Sequence, residues 1–278
     1  QKCQGNLLFI QKEFASRELR LRFFHRIKQG GTAMPKLYLS PSTQEFNYYV
    51  NGGTEEYHMN RIADAMEPYL HASGIQYTRN TPDMTAASSI AASNSGNYDF
   101  HLAIHSNAAP PSLSGQLRGS IVYYYPTSYY GKKAAEIFVQ NLKQIYPLPD
   151  LVRASPTTSI GEVRYTRAPA NLIELAYHDN PEDAAWITEN TDTIARTLVK
   201  ALTEYFGIPF ITPAPEYTGT VHISSGYLNI RSRPSTSAPV IAKAYNGAQL
   251  TILGKWNNWY VVEFGGVPGY ANASYVVV

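Results

Sequence analysis

Histidine and glutamate side chains stand at three points where a predicted strand or helix begins or ends. Glu55 and Glu56 open a predicted helix, and His105 ends an apolar strand. Glu174 lies inside the apolar segment Leu172–Ala176, where a carboxylate is costly to bury unless it is paired or bound to a metal. Burial also raises the pKa of a carboxyl group toward values that suit proton transfer. One histidine and two glutamates are the parts of a hydrolytic zinc site, in which the metal lowers the pKa of a bound water and a free carboxylate takes its proton.

Each of these residues also has a purely structural interpretation. Glu55 and Glu56 could stabilise the helix dipole, and a histidine at a strand end is more often structural than a ligand. Glu174 could pair with Arg164 or Arg167, which are close in sequence. Because the residues occur together in a strand–helix order, the chemical interpretation is favoured over the separate structural ones.

The elements that must position these residues alternate between strands and helices. Strands are predicted at Lys36–Leu39, Ile75–Arg79, Phe100–Ile104, Ser120–Tyr125 and Ala170–Ala176. Helices are predicted from an N-cap at Thr54 to about His71, and at Thr85–Ala92, Gly131–Ile145 and Pro181–Tyr205. This alternation predicts an α/β fold, with a twisted, mostly parallel sheet flanked by helices. A ligand site in such a fold lies at the carboxyl ends of the strands.

The sequence also predicts a division into two domains. Closely spaced prolines indicate a semi-rigid linker at residues 208–217, between a domain at 34–207 and a small all-β module at 218–278. The prolines are Pro209, Pro213 and Pro215. The β-rich segments of the module are Leu228–Ile230, Gln249–Leu253, Trp259–Phe264 and Tyr275–Val278.

Residues 1–33 differ from the remainder in charge. They hold seven Lys or Arg and two Glu, a net charge of +5, which leaves 16 basic and 19 acidic residues, a net charge of −3, elsewhere. Codons for Gln29–Gly31 can resemble a ribosome-binding site, so we predict that translation starts at Met34 and that residues 1–33 are a leader or a mis-assigned start. The alternative is a basic amphipathic helix at Arg17–Lys28 that touches a membrane.

Composition argues against several classes of protein. No long basic face remains outside the first 33 residues, which argues against a nucleic-acid partner. No run approaches eighteen apolar residues, so no membrane span is predicted. Cys3 is the only cysteine, which excludes an internal disulfide and a cysteine-based zinc site.

Residues 36–207 resemble the zinc-dependent N-acetylmuramoyl-L-alanine amidases of bacterial cell-wall hydrolases. Glu56, four residues before Asn60, is similar to the metal-binding glutamate of that family. The segment Asp99–Ala108 resembles the strand that ends in a metal-binding histidine, here His105, and Ala168–Glu174 resembles the strand that bears the catalytic glutamate. The resemblance therefore implies Zn²⁺ bound by Glu56 and His105, with Glu174 as the catalytic residue.

The sequence departs from the family in one zinc ligand. The resemblance implies a third ligand, a histidine, in the loop after the first strand, and the corresponding position falls near Thr43. Gln44 or Glu45 could supply an oxygen, although glutamine is a poor zinc ligand. His58 should project from the opposite side of its helix, and His101 lies about 13 Å from the strand end at the usual rise per residue. The third protein ligand is therefore not identified from the sequence.

The C-terminal module resembles the bacterial SH3-like domains of wall hydrolases, which predicts a small all-β barrel. The resemblance rests on Leu228–Ser237, Trp259–Val262 and Gly269–Ala271, with Tyr270 where that family usually has tryptophan. It implies binding to wall peptides or glycans. Packing inside the barrel is the favoured role of its aromatic residues.

These resemblances imply a peptidoglycan hydrolase that cuts the amide bond between N-acetylmuramic acid and L-alanine of the stem peptide. Two alternatives stay open: a catalytically impaired wall-binding protein and a zinc peptidase acting on stem peptides. Peptidoglycan is the expected partner, and the cell wall or extracellular space is the expected location. No secretory signal is visible from Gln1 or Met34, and release by cell lysis would also fit.

Overall fold

The computed structural model describes residues 33–278, which form two β-sheets with helices around the first of them. The predicted leader up to residue 32, the alternative basic helix at Arg17–Lys28 and Cys3 lie outside the described residues. Within residues 33–278, no helix is both long enough and apolar enough to cross a membrane.

The first sheet has six strands in the order β2-β1-β3-β6-β4-β5. Its strands are β1 Lys36–Pro41, β2 Gln76–Arg79, β3 Phe100–Asn107, β4 Ser120–Tyr124, β5 Val152–Pro156 and β6 Ala170–Tyr177. Neighbouring strands run parallel except at the β6–β4 pair, which is antiparallel. The predicted α/β class with a mostly parallel sheet is confirmed, and β5 is a strand that the sequence did not predict.

In the described part of the chain, six helices accompany this sheet. They are α1 Glu55–Ala72, α2 Ala86–Ser95, α3 Tyr129–Leu142, α4 Gly161–Arg164, α5 Pro181–Glu189 and α6 Thr191–Phe206. The predicted N-cap is confirmed, because the Thr54 side chain accepts a hydrogen bond from the Tyr57 N–H at the start of α1. The prediction of a single long helix at Pro181–Tyr205 is wrong, because two helices occupy this segment. It is interrupted at Asn190, whose side chain donates to the Trp186 carbonyl at 2.9 Å and so competes with the helical backbone pattern.

The two faces of the first sheet differ because side chains alternate along each strand. On β3, Phe100, Leu102 and Ile104 join the large apolar core formed with α1, α3, α5 and α6. His101 and His105 occupy the alternate positions and project from the other face. That face is covered in part by α2 and α4, around a small cluster containing Leu172. The charged residues predicted to do chemistry therefore lie on the less covered face.

The second sheet contains seven strands in the order β13-β7-β10-β11-β12-β8-β9, and every pair of neighbours is antiparallel. The strands are β7 Tyr217–Val221, β8 Leu228–Arg231, β9 Val240–Ala244, β10 Gln249–Trp256, β11 Trp259–Phe264, β12 Val267–Asn272 and β13 Val276–Val277. This confirms the predicted all-β SH3-like class of the C-terminal region. Alternate strand positions fill its own apolar core, in which Ile230, Ile252 and Val262 are completely buried.

The two sheets are joined by a packed contact. Tyr270 is fully buried, and its hydroxyl donates to the Ser73 carbonyl just after α1 at 3.4 Å. Arg233 donates to the carbonyls of Phe206 and Gly207 at the end of α6, at 2.7 and 2.6 Å. Ile211, in the proline-containing segment, is buried in the same contact. Tyr270 therefore packs between the two sheets, whereas the sequence predicted packing within the barrel.

Candidate active site

His105 lies near the carboxyl end of β3 with a carboxylate on each side of its ring. Its Nδ1 is 2.8 Å from Oε1 of Glu55, and its Nε2 is 3.5 Å from Oε2 of Glu162. Burial alone would lower the pKa of His105, but the hydrogen bonds and charges of Glu162 and Glu55 outweigh it and raise that pKa to about 10. Without a bound metal, this arrangement holds the imidazole as a cation at neutral pH.

Glu55 is the first residue of α1, and its side chain is almost fully buried. Burial would raise the pKa of this carboxyl, but the hydrogen bond and charge of His105 lower it, with further hydrogen bonds from Asn47 and Ser42. The Asn47 amide donates to Glu55 Oε2 at 2.6 Å, and the Ser106 N–H donates to Oε1 at 3.3 Å. These donors keep Glu55 ionised beside His105.

The structure brings Glu55, and not Glu56, to His105. The expected pairing of Glu56 with His105 does not occur among the described hydrogen bonds, and Glu56 as a metal ligand stays a prediction. Thr54 caps the helix, so Glu55 is its first residue and faces the sheet, whereas the next position is rotated by about 100° around the helix. The Glu56 side chain is half-buried, and within residues 33–278 it makes no hydrogen bond to His105.

Glu162, on the short helix α4, is a site residue that sequence reasoning missed. Its Oε1 accepts a hydrogen bond from Ser40 at 2.5 Å and lies 3.2 Å from His101 Nε2, while its Oε2 faces His105. Burial would raise the pKa of Glu162, but hydrogen bonds from His101 and His105 hold it well below its usual range. The Glu162 carboxylate thus contacts both histidines of β3, although the strand rise places His101 and His105 about 13 Å apart.

Glu174 on β6 stands directly beside His105 in the sheet register. Its Oε2 is buried and has no hydrogen-bond partner among the described residues. The predicted alternative pairings do not occur, because Arg164 donates to the Thr158 carbonyl and Arg167 donates to the Asn94 carbonyl. Burial raises the pKa of Glu174 to about 7, with the His105 charge lowering it and the Glu55 charge raising it. A carboxyl group that titrates near neutrality can accept and return a proton.

The loop between β1 and α1 brings an amide side chain close to His105. Gln44 Nε2 lies 3.3 Å from His105 Nδ1, and Gln44 Oε1 accepts a hydrogen bond from Asn47 Nδ2 at 2.9 Å. The half-buried Thr43 and the exposed Glu45 make no side-chain hydrogen bond within residues 33–278. His58 is turned away, with its Nε2 2.9 Å from the Gly52 carbonyl oxygen. Of the loop side chains considered as a third ligand, Gln44 is therefore the one beside His105.

Two donor atoms at this site fit a zinc ion. His105 Nδ1 and Glu55 Oε1 converge, and Glu162 faces the other ring nitrogen, where a metal-ligating histidine commonly meets a carboxylate. The unpartnered Oε2 of Glu174 is on the same face of the sheet. Glu162 is on the far side of the ring, and no three His, Cys, Asp or Glu residues of the described chain are arranged around one ion. The fit is therefore to two ligands, the Glu55 carboxylate and the His105 imidazole, which must lose a proton to bind a metal, without a third of these types.

Two family models match the chain. The N-acetylmuramoyl-L-alanine amidase model matches residues 43–204, which is more than half of the 278 residues and contains Glu55, His105, Glu162 and Glu174. The bacterial SH3 domain model matches residues 226–277, within the second sheet.

One curated relative matches over a short stretch. The putative N-acetylmuramoyl-L-alanine amidase YrvJ from Bacillus subtilis (strain 168) is 38% identical over 60 residues, which are 22% of this chain and 11% of that protein. The matching part thus spans about a tenth of that relative.

Solved amidase structures share the fold of the first domain. An N-acetylmuramoyl-L-alanine amidase from Clostridium difficile 630 has a TM-score of 0.56 at 15% identity, covering 63% of this chain and 97% of that one. The catalytic domain of CwlV, an N-acetylmuramoyl-L-alanine amidase from Bacillus (Paenibacillus) polymyxa var. colistinus, has a TM-score of 0.54 at 16% identity, covering 63% and 100%. The family match extends over the strands and helices that hold the candidate site. The chain therefore belongs to the N-acetylmuramoyl-L-alanine amidase family and carries a bacterial SH3 domain at its C-terminal end.

Proposed function

We propose that the protein hydrolyses the amide bond between N-acetylmuramic acid and L-alanine in peptidoglycan, with Glu174 as the group that moves the proton. The observation that carries the proposal is the buried, unpartnered Oε2 of Glu174 beside His105, in a carboxyl group whose pKa is raised to about 7 by burial. Family membership supplies the reaction class, since the match covers the strands that hold both residues.

In the proposed mechanism, ionised Glu174 takes a proton from the attacking water and later returns it to the leaving amine of alanine. Because its Oε2 has no hydrogen-bond partner within residues 33–278, that oxygen is available to a water or an amine. A carboxyl group with a pKa near the working pH is suited to both transfers.

His105 Nδ1 and Glu55 Oε1 are the atoms that would hold a zinc ion, and zinc bound there would supply Lewis acidity and an acidified water. The surrounding residues keep these ligands in place. Glu162 fixes the His105 ring through Nε2, and Asn47 fixes the Glu55 carboxylate. Such supporting contacts orient ligands and tune their basicity.

A second candidate function is binding to the wall without hydrolysis. It is favoured by the absence, within the described residues, of three His, Cys, Asp or Glu side chains arranged around one ion. In that case both domains would contribute affinity for peptidoglycan while the first lacked a stable metal. In either case we propose the cell wall as the place of action.

The identity of the amino group released from purified peptidoglycan tests the proposal. The full chain, supplied with zinc, should produce new N-terminal alanine and the matching free lactyl carboxyl groups on muramic acid. A different new N-terminal residue would support a stem-peptide peptidase. Binding to peptidoglycan without any new amino group would support the second candidate.

A further inference from the structure

The face of the first sheet that bears His105 and Glu174 continues into a row of aligned side chains. His105 on β3 is paired with Glu174 on β6, Glu174 with Ile121 on β4, and Ile121 with Arg153 on β5. Directly paired residues of neighbouring strands project from the same face, and strands are about 4.8 Å apart. Arg153 thus starts about 10 Å from Glu174 on the same face.

Arg153 has no charged partner of its own. It is exposed, and its side chain makes no ion pair or hydrogen bond with any residue between 33 and 278. Its charge nevertheless acts on nearby side chains. Burial and the Glu174 charge raise the pKa values of Tyr123 and Tyr177, and the Arg153 charge partly offsets this increase. Arg153 is therefore a free guanidinium at the edge of the candidate active site.

The chemistry of the substrate indicates which group such a cation would meet. N-acetylated sugars of the glycan strand carry no charge, whereas the stem peptide carries carboxylates. An extended peptide advances about 3.5 Å per residue, so a carboxylate on the residue after alanine lies roughly 7 Å from the scissile carbonyl. An arginine whose backbone starts about 10 Å from Glu174 can reach that group, and its planar donors suit a carboxylate.

We propose that Arg153 binds a carboxylate of the stem peptide, on the residue that follows alanine, and so sets specificity for a free acid over its amide. The proposal rests on the proposed function, because that function determines which part of the substrate extends toward Arg153. It also implies that the stem peptide runs across β4 toward β5.

Binding of two muramoyl dipeptides tests the proposal. The full chain with Glu174→Gln, which should not consume the ligand, is titrated by calorimetry with N-acetylmuramoyl-L-alanyl-D-isoglutamate and with the corresponding isoglutamine amide. We expect about tenfold tighter binding of the acid, a typical effect of a hydrogen-bonded charge pair. Adding Arg153→Ala should remove this preference, and Arg153→Lys should retain part of it. The matched control is Arg196→Ala on α6, on the opposite face, which should keep the full preference.

Equal binding of acid and amide before Arg153 is changed, or an unaltered preference in the Arg153→Ala protein, would overturn the proposal. Melting temperatures of the Arg153 variants show whether they are folded, and Arg153→Gln provides a second neutral variant. Absence of alanine release by the unmodified chain would instead refute the proposed function, while the binding comparison would still decide the role of Arg153.

Discussion

The two faces of the six-stranded sheet are built from the same strands but differ in kind. On one face, Phe100, Leu102 and Ile104 are completely buried beneath helices in a continuous apolar core. On the other face, His101 and His105 alternate with them and meet the buried carboxylate of Glu162. The comparison shows how one strand can supply stability from its even positions and chemistry from its odd ones.

The largest expected effect concerns the chemical face. Glu174→Gln keeps the size of the side chain but removes the proton acceptor, so the rate of alanine release should fall about a hundred- to ten-thousand-fold. Wall binding should change little, and the variant should remain folded. Near-normal turnover of this variant would remove Glu174 from the mechanism.

The two adjacent glutamates of α1 give a matched pair of variants. Glu55→Gln should lower zinc content and activity by about tenfold or more, because it removes the carboxylate at His105. Glu56→Gln, one residue away, should leave both within about twofold, since no contact of its side chain with His105 is present in the described chain. Metal analysis of the dialysed proteins checks this, and the reverse result would restore Glu56 as the ligand.

Substitutions on the helix-covered face should change the stability of the protein and not its activity. Leu102 is completely buried, and Leu102→Ala should lower the free energy of unfolding by about 2–5 kcal/mol because it leaves a cavity. Chemical denaturation measures this loss. The activity per folded molecule should be unchanged, and a selective loss of kcat in the folded fraction would contradict the separation of the two faces.

The pH dependence of stability gives a smaller signature of the chemical face. Burial raises the pKa of Glu174 from 4.5 to about 7, so the folded state binds this proton more tightly than the unfolded chain does. The stability that this proton contributes to the folded state is fully present below pH 4.5. It is lost as the pH rises toward 7, which lowers the free energy of unfolding by up to about 3 kcal/mol. In zinc-free protein, Glu174→Gln should therefore gain stability relative to the unmodified chain between pH 5 and 7. Parallel stability curves over this interval would contradict the assignment.

Much of the fold could be predicted because its signals are local. The N-cap at Thr54, the apolar strand before His105 and the strand around Glu174 each depend on neighbouring residues, and the structure contains all three. The break at Asn190 was missed because helical spacing of apolar residues continues on both sides of it. The parallel arrangement followed from the alternation of elements rather than from any one residue.

The site was harder to predict because its contacts join distant parts of the chain. Glu162 is 61 residues from His101, and it lies on a helix of four residues that carries almost no sequence signal. Glu55 and Glu56 are adjacent in the helix and point about 100° apart, and neither composition nor spacing indicates which of them faces the sheet. Asn47 gave no signal at all, since its importance comes from the positions of Gln44 and Glu55 on either side of it.

The central claim is that Glu174 carries a proton close to neutrality on the otherwise charged face of the sheet. The most direct test is a ¹³C NMR titration of the glutamate carboxyl groups in zinc-free protein, with the Glu174 signal assigned by its loss in Glu174→Gln. We predict a titration midpoint of about 7 for Glu174. A midpoint near the usual value of 4.5 would contradict it.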